Sequence, residues 1–151
     1  RISNIFGIQK KMLKLSENIF RLSVNQFCLN IIKNKKILIN SNLNEKRNFV
    51  SVNDFINFIE KVFILKNYRL NKIINYASKK EVSLNYLINI IKKQSKELKI
   101  KLPKIKFTNK IPNSKINYKF DLKDIEKYNL APKISLKNEI KNTLKKIKCL
   151  N

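Results

Sequence analysis

Apolar residues recur at helical spacing in several stretches of this chain. Phe20, Val24, Phe27 and Ile31 fall on one face of a helix predicted to start near Ser16, whose hydroxyl suits an N-cap. Phe55, Ile59, Val62 and Phe63 do the same after Asn53 and Asp54, which place a cap and a first-turn acid where the helix dipole favours them. Leu84, Leu87, Ile88 and Ile91 follow Ser83, and Leu136, Ile140, Leu144 and Ile147 follow Ser135. Asp121 is placed to cap a short helix carrying Leu122 and Ile125. Between these lie short runs that read as strands: RISNI (1–5), ILIN (37–40), NFVSV (48–52), KIINYA (72–77) and KIKF (104–107). Strands alternating with helices predict an α/β layer arrangement. Parallel strands need neighbours and covering helices, and too few strands follow the first to close a sheet. The pattern therefore predicts an open sheet edge, completed by a preceding part of the same protein.

A length of 151 residues fits one domain with a core of its own. No apolar run approaches the roughly 18 residues needed to cross a bilayer. The opening RISNIFGIQKK has neither the apolar centre nor the small-residue cleavage site of a signal peptide, which predicts a cytoplasmic protein. Histidine is absent, so zinc sites built on His, Ser-His-Asp triads and Cys-His pairs are excluded from this chain. Cys28 and Cys149 stand far apart without CxxC spacing and read as buried or idle thiols.

Lysine and arginine outnumber the acids 34 to 10, for a net charge of +24. Such a balance raises the possibility of a nucleic-acid partner, since basic faces gain affinity by releasing phosphate counterions. Composition speaks against it. Lys, Asn and Ile are abundant together while Gly, Ala, Pro, Trp and His are scarce, which is the joint bias of AT-rich codons. Arginine, the better base reader, is rare beside lysine, and the lysines are spread along the whole chain. A basic RNA- or DNA-binding module is thus the alternative reading and not the leading one.

Stretches in fixed order carry a resemblance. RISNIFG (1–7) resembles the R-x-x-N-x-Y/F-G run of the NAD-dependent epimerase/dehydratase family, the extended short-chain dehydrogenase/reductases. KRNFVSVNDF (46–55) is similar to that family's R-D-F-V-x-V-D-D. FDLKDIEKYNLAPKISLKNEI (120–140) is similar to its D-x-S-K-x-x-x-x-L-G-W-x-P-x-x-S-L-x-x-G-I, and IINYASKKEVSLNYLINII (73–91) to its Y-N-I-G-S-G-x-x-x-S-L-x-E-L. Together they cover essentially the whole chain at near-family spacing.

The resemblance implies an α/β fold: the C-terminal part of an extended Rossmann-type fold, with the last sheet strands and a mostly helical substrate-binding region over residues 1–151. A G-x-x-G-x-x-G turn is impossible with one glycine, and no Tyr-x-x-x-Lys stands in a family-like position. The N-terminal dinucleotide-binding portion is therefore expected upstream, and no catalytic residue is expected in this chain. By the resemblance, Asn4 hydrogen-bonds the substrate beside the nicotinamide, and an amide both donates and accepts there. Arg47 reaches the diphosphate of a nucleotide sugar with its forked guanidinium, with Lys110 in KIPNSK as a second phosphate contact. Ile2 and Ser3 line the nicotinamide pocket of bound NAD or NADP. Asn53, Asp54 and Asp121 match the family pattern as structural caps. The full-length protein is expected to be a homodimer that acts on a nucleotide-diphosphate sugar by hydride transfer. The isolated chain is expected to be inactive, and a decayed, non-catalytic family member is the remaining alternative.

Overall fold

The computed structural model of the protein describes residues 1–9, 23–64, 73–107 and 119–149. The predicted helix start near Ser16, with Phe20, lies outside the described residues, as do Lys72 and Lys110. In chain order the elements are β1 (Asn4–Phe6), α1 (Ser23–Ile32), β2 (Ile37–Ile39), β3 (Lys46–Arg47), β4 (Phe49–Ser51), α2 (Val52–Ile64), β5 (Val82–Ser83), α3 (Leu84–Glu97), β6 (Ile105–Phe107), α4 (Lys123–Lys127) and α5 (Leu136–Lys148).

The strands pair in twos. β1 lies parallel to β4 with Asn4 opposite Phe49. β2 lies parallel to β6 with Ile37 opposite Ile105. β3 and β5 form an antiparallel ribbon with Arg47 opposite Val82. Among the described residues β4 is the one strand that β1 pairs with. KIINYA is not a strand: a single parallel bridge joins Tyr76 to Ile2, through bonds from the Tyr76 amide to the Arg1 carbonyl and from the Ser3 amide to the Tyr76 carbonyl. The chain leaves this pairing at Ser78, whose amide turns to the Asn48 side chain instead.

Two apolar clusters lie against β1 and β4. Phe6, Ile8 and Phe49 join Val24, Cys28 and Ile31 of α1, Leu87, Ile88 and Ile91 of α3, and Ile140, Leu144 and Ile147 of α5. Val50, Phe58, Tyr76, Ile125 and Leu130 form the second cluster, with the Phe58 and Tyr76 rings stacked at 4.2 Å. Two faces differ from expectation. In α1 Cys28 is fully buried and Phe27 only partly so. In α2 Phe58 is the buried ring, while Phe63 is 80% exposed. At about 100° per residue Phe63 falls roughly 80° away from Phe55, off the stripe shared by Phe55, Phe58, Ile59 and Val62.

The caps divide in the same way. Ser83 accepts from the Tyr86 amide and Ser135 from the Asn138 amide, as predicted. Asp121 accepts from the Lys123 amide at the start of α4. Asn53, expected to cap α2, lies inside its first turn, and Ser51 Oγ accepts from the Asn53 amide instead.

Of the two thiols, Cys28 is buried but Cys149 is exposed. Burial pushes the Cys28 thiol up to about 12, and the thiolate is the reactive form. At pH 8 one thiol, Cys149, is expected to react with a maleimide in the folded protein, and the second only in denaturant. Mass spectrometry of the labelled peptides checks this; native labelling of Cys28 would contradict the packing of α1 against α5.

Candidate functional site

The amino ends of β1 and β4 open onto a cleft of about 550 Å³. Its walls come from three places: residues 1–4 leading into β1, residues 45–48 around β3, and Asn75, Glu81, Lys119 and Phe120 from the segments packed against them. The cleft gathers Ile2, Ser3, Asn4 and Arg47, which the sequence singles out from distant positions. Lys110 lies outside the described residues.

Asn48 holds the walls together. Its side-chain amide donates to the Ser78 carbonyl at 2.7 Å and its Oδ1 accepts from the Ser78 amide at 2.9 Å. Its own carbonyl accepts from Asn4 Nδ2 at 3.0 Å. Asn48 is 5% exposed, so these bonds exchange with little water, and they fix both the Asn4 amide and the turn at Ser78. Asn4 therefore spends one donor inward on Asn48 while it lines the cleft.

Arg47 stands at the rim, its side chain 48% exposed, with Nη2 2.9 Å from Glu45 Oε1. An ion pair this exposed holds its partners weakly, so Glu45 parks the guanidinium without committing it. Arg1, Lys46, Arg47 and Lys119 against Glu45 and Glu81 give the lining a cationic balance. Ser3 lines the cleft, but its Oγ is buried with no hydrogen-bond partner, where buried hydroxyls are as a rule satisfied.

The acids matched to the family pattern are structural. Asp54 is 4% exposed, and its two carboxylate oxygens accept from the Lys133 amide at 3.0 Å and the Ile134 amide at 2.9 Å. Tyr76 and Lys80 happen to stand in Tyr-x-x-x-Lys spacing. The Tyr76 hydroxyl, however, donates to the Asp54 carbonyl at 2.8 Å and is buried. Burial, reinforced by the Asp54 charge, pushes this phenol further up from its ordinary value, away from the range of a useful base. Among the described residues no group of acids and cysteines could hold a metal ion.

Asn48, Lys119, Asn75, Glu45 and Glu81 were missed by sequence reasoning. Asn48 sits inside the matched KRNFV run, so a signal was present. Lys119 and Asn75 reach the cleft only through tertiary packing.

Small parallel strand pairs packed against helices make an α/β fold, expected to be the C-terminal part of an extended Rossmann-type fold. Comparison with solved structures agrees. The chain is similar to UDP-glucuronic acid 4-epimerase from Bacillus cereus, in complex with UDP-glucuronic acid and NAD, at 17% identity and a TM-score of 0.77, covering 100% of this chain and 45% of that one. It is similar to UDP-glucose 4-epimerase from Thermotoga maritima, with UDP-glucose, at 17% identity and a TM-score of 0.72, covering 99% and 45%. A third likeness, at 19% identity and a TM-score of 0.71, is to UDP-N-acetylglucosamine 4-epimerase from Methanobrevibacter ruminantium in complex with UDP-N-acetylmuramic acid, covering 100% and 46%. The chain thus spans somewhat less than half the length of these structures, and at such identities the likeness is one of fold. No protein-family model and no curated protein matches the sequence. No described helix is long and apolar enough to cross a membrane.

Proposed function

We propose that this chain is the substrate-binding portion of an NAD(P)-dependent nucleotide-sugar epimerase or dehydratase, and that the cleft takes the nucleotide diphosphate sugar. The observation that carries the reading is the convergence of Ser3, Asn4 and Arg47 on one cationic cleft, in a chain whose fold is that of nucleotide-sugar epimerases. The dinucleotide turn and the acid-base pair belong, in this reading, to a preceding part of the protein. The single glycine of the chain supports that division, because Gly7 is buried at the end of β1 and cannot serve a cofactor loop.

The residues here would then act by holding. Arg47 leaves Glu45 for the diphosphate, exchanging a weak surface pair for forked bonds to phosphate oxygens. Asn4, fixed by Asn48, presents Oδ1 to a sugar hydroxyl. The backbone near Ile2 and Ser3 lines one edge of the nicotinamide pocket. NAD or NADP, when bound, supplies the hydride acceptor. Fixing the sugar against it is proximity catalysis.

Titration with UDP-glucose by calorimetry tests the reading. Arg47→Ala is expected to weaken binding about ten-fold, the equivalent of one charge-assisted bond. Glu45→Ala, which frees the guanidinium, should tighten it. Lys46→Ala should change it less than about two-fold. Binding indifferent to Arg47, or no binding at all, would instead support the decayed family member. Turnover of UDP-glucose by the purified chain would overturn the division between holding and chemistry.

A further inference from the structure

A second groove, of about 430 Å³, lies behind the wall of the cleft. The segment from Ser78 to Val82 separates the two. Glu81 lines the cleft, whereas Lys80 and Val82 line the groove, and Asn48 and Phe49 divide in the same way. The groove floor is apolar: Phe49, Val82, Ile90, Ala131, Pro132 and Leu136. Tyr86, in the first turn of α3, lines the same groove and is 55% exposed.

The rim carries Lys79, Lys80, Lys133 and Lys137, and no acid. The neighbouring carboxylates are engaged elsewhere. Glu126 takes Lys79 at 2.8 Å, Asp54 is turned inward onto the Lys133 and Ile134 amides, and Glu97 pairs with Lys141 at 3.0 Å. Lys137 adds to the field at Glu97 without bonding it. Lys80, Lys133 and Lys137 therefore surround an apolar floor with net positive charge, offset only in part by Glu97 beside Lys137. Here the lysines ring a concavity of ligand size with an apolar floor.

We propose that this groove is a second binding site, distinct from the cleft, for a small amphipathic oxyanion: one flat apolar moiety against Tyr86 and Leu136, with a phosphate or carboxylate among Lys80, Lys133 and Lys137. The two halves of such a ligand are recognised by different physics. Burying the ring removes apolar area from water, and the anion gains from the net positive field of a lining that holds lysines and no acid. The anion also lies near the amino end of α5, where Ser135 to Lys137 form part of the lining and the helix dipole has the favourable sign.

The test uses 1-naphthyl phosphate, read through backbone amide shifts in the full chain. The expected result is a saturable shift confined to Val82, Tyr86 and the Ser135–Lys137 turn, unaffected by excess UDP-glucose. Inorganic phosphate and the neutral 1-naphthol should each bind about ten-fold more weakly. The double variant Lys133→Ala/Lys137→Ala alters only exposed side chains and should weaken the phosphate ester about ten-fold while leaving 1-naphthol unchanged; Tyr86→Ala should weaken both. Displacement by UDP-glucose, shifts scattered over the lysine-bearing surface, or equal affinity for 1-naphthol would each overturn the proposal. Failure of these outcomes leaves the Arg47 titration untouched, because the two experiments read different walls.

Discussion

Replacing Asp54 by alanine is expected to destabilise the protein by about 3–5 kcal/mol, the scale of losing two hydrogen bonds to a buried charged group. The two carboxylate oxygens accept separate backbone amides, Lys133 at 3.0 Å and Ile134 at 2.9 Å. Hydrogen bonds to a charged group are worth about 1.5–3 kcal/mol each, and alanine leaves both amides without an acceptor. These bonds do more than satisfy donors. They tie the first turn of α2 to the segment that delivers Ser135 to the start of α5, across about 80 residues of sequence. Asp54→Asn keeps one acceptor but presents an NH₂ to the second amide, so its cost should lie near half of that range. Urea denaturation, comparing midpoints at constant slope, gives the values. A cost below about 1 kcal/mol for alanine would mean that the 133–134 turn is held by other contacts.

Much of this fold was legible because it is written in local chemistry. Ser83 and Ser135 cap where a hydroxyl precedes an apolar stripe, and α3 and α5 follow in the predicted registers. The short parallel strands were legible from their β-branched runs. Their partners were not, because pairing β2 with β6 joins residues far apart in sequence, and periodicity carries no such information. Residues 73–77 of KIINYA form no strand for the same reason: their composition suits a sheet, but after one bridge the chain turns at Ser78, whose backbone is bonded by the Asn48 side chain. Of the site, Asn4 and Arg47 were visible through the motifs around them. Asn48 was hidden by its ordinary appearance, since an asparagine in an Asn-rich chain attracts no notice until its three bonds are seen. Departures from the family pattern also acquire reasons. Asn129 stands where L-G-W-x-P has glycine and adopts φ +53°, a conformation asparagine tolerates better than most residues. Leu130 stands at the tryptophan position of that motif and is 4% exposed in the second cluster.

Gly7→Ala is the other substitution with a large expected effect, about 3–5 kcal/mol, and it separates two causes. Gly7 has φ +104°, where a residue with a Cβ is strained by about 1–3 kcal/mol whatever surrounds it. Its backbone is also clamped, the amide donating to Asn25 Oδ1 at 2.9 Å and the carbonyl accepting from Asn25 Nδ2 at 3.1 Å, so the chain cannot rotate away. A Cβ at this position would overlap Glu139 Oε1 and press on Val52 Cγ1. Glu139 is fully buried, its oxygens taking Asn53 Nδ2 at 3.1 and 3.3 Å. In the resembling motif S-L-x-x-G-I that position is a glycine, so here the space beside β1 is filled from the α5 side, and Gly7 alone keeps the contact open. The double variant Gly7→Ala/Glu139→Gly therefore removes the overlap and leaves the backbone strain. Relative to the sum of the single changes, it should recover at least about 1 kcal/mol, a coupling that neighbours in contact show and distant sites do not. Strict additivity in urea denaturation would assign the whole cost to φ. A full return to the stability of Glu139→Gly alone would assign it to the carboxylate, and the single glycine of the chain would then be explained by its neighbour in α5 and not by its own backbone.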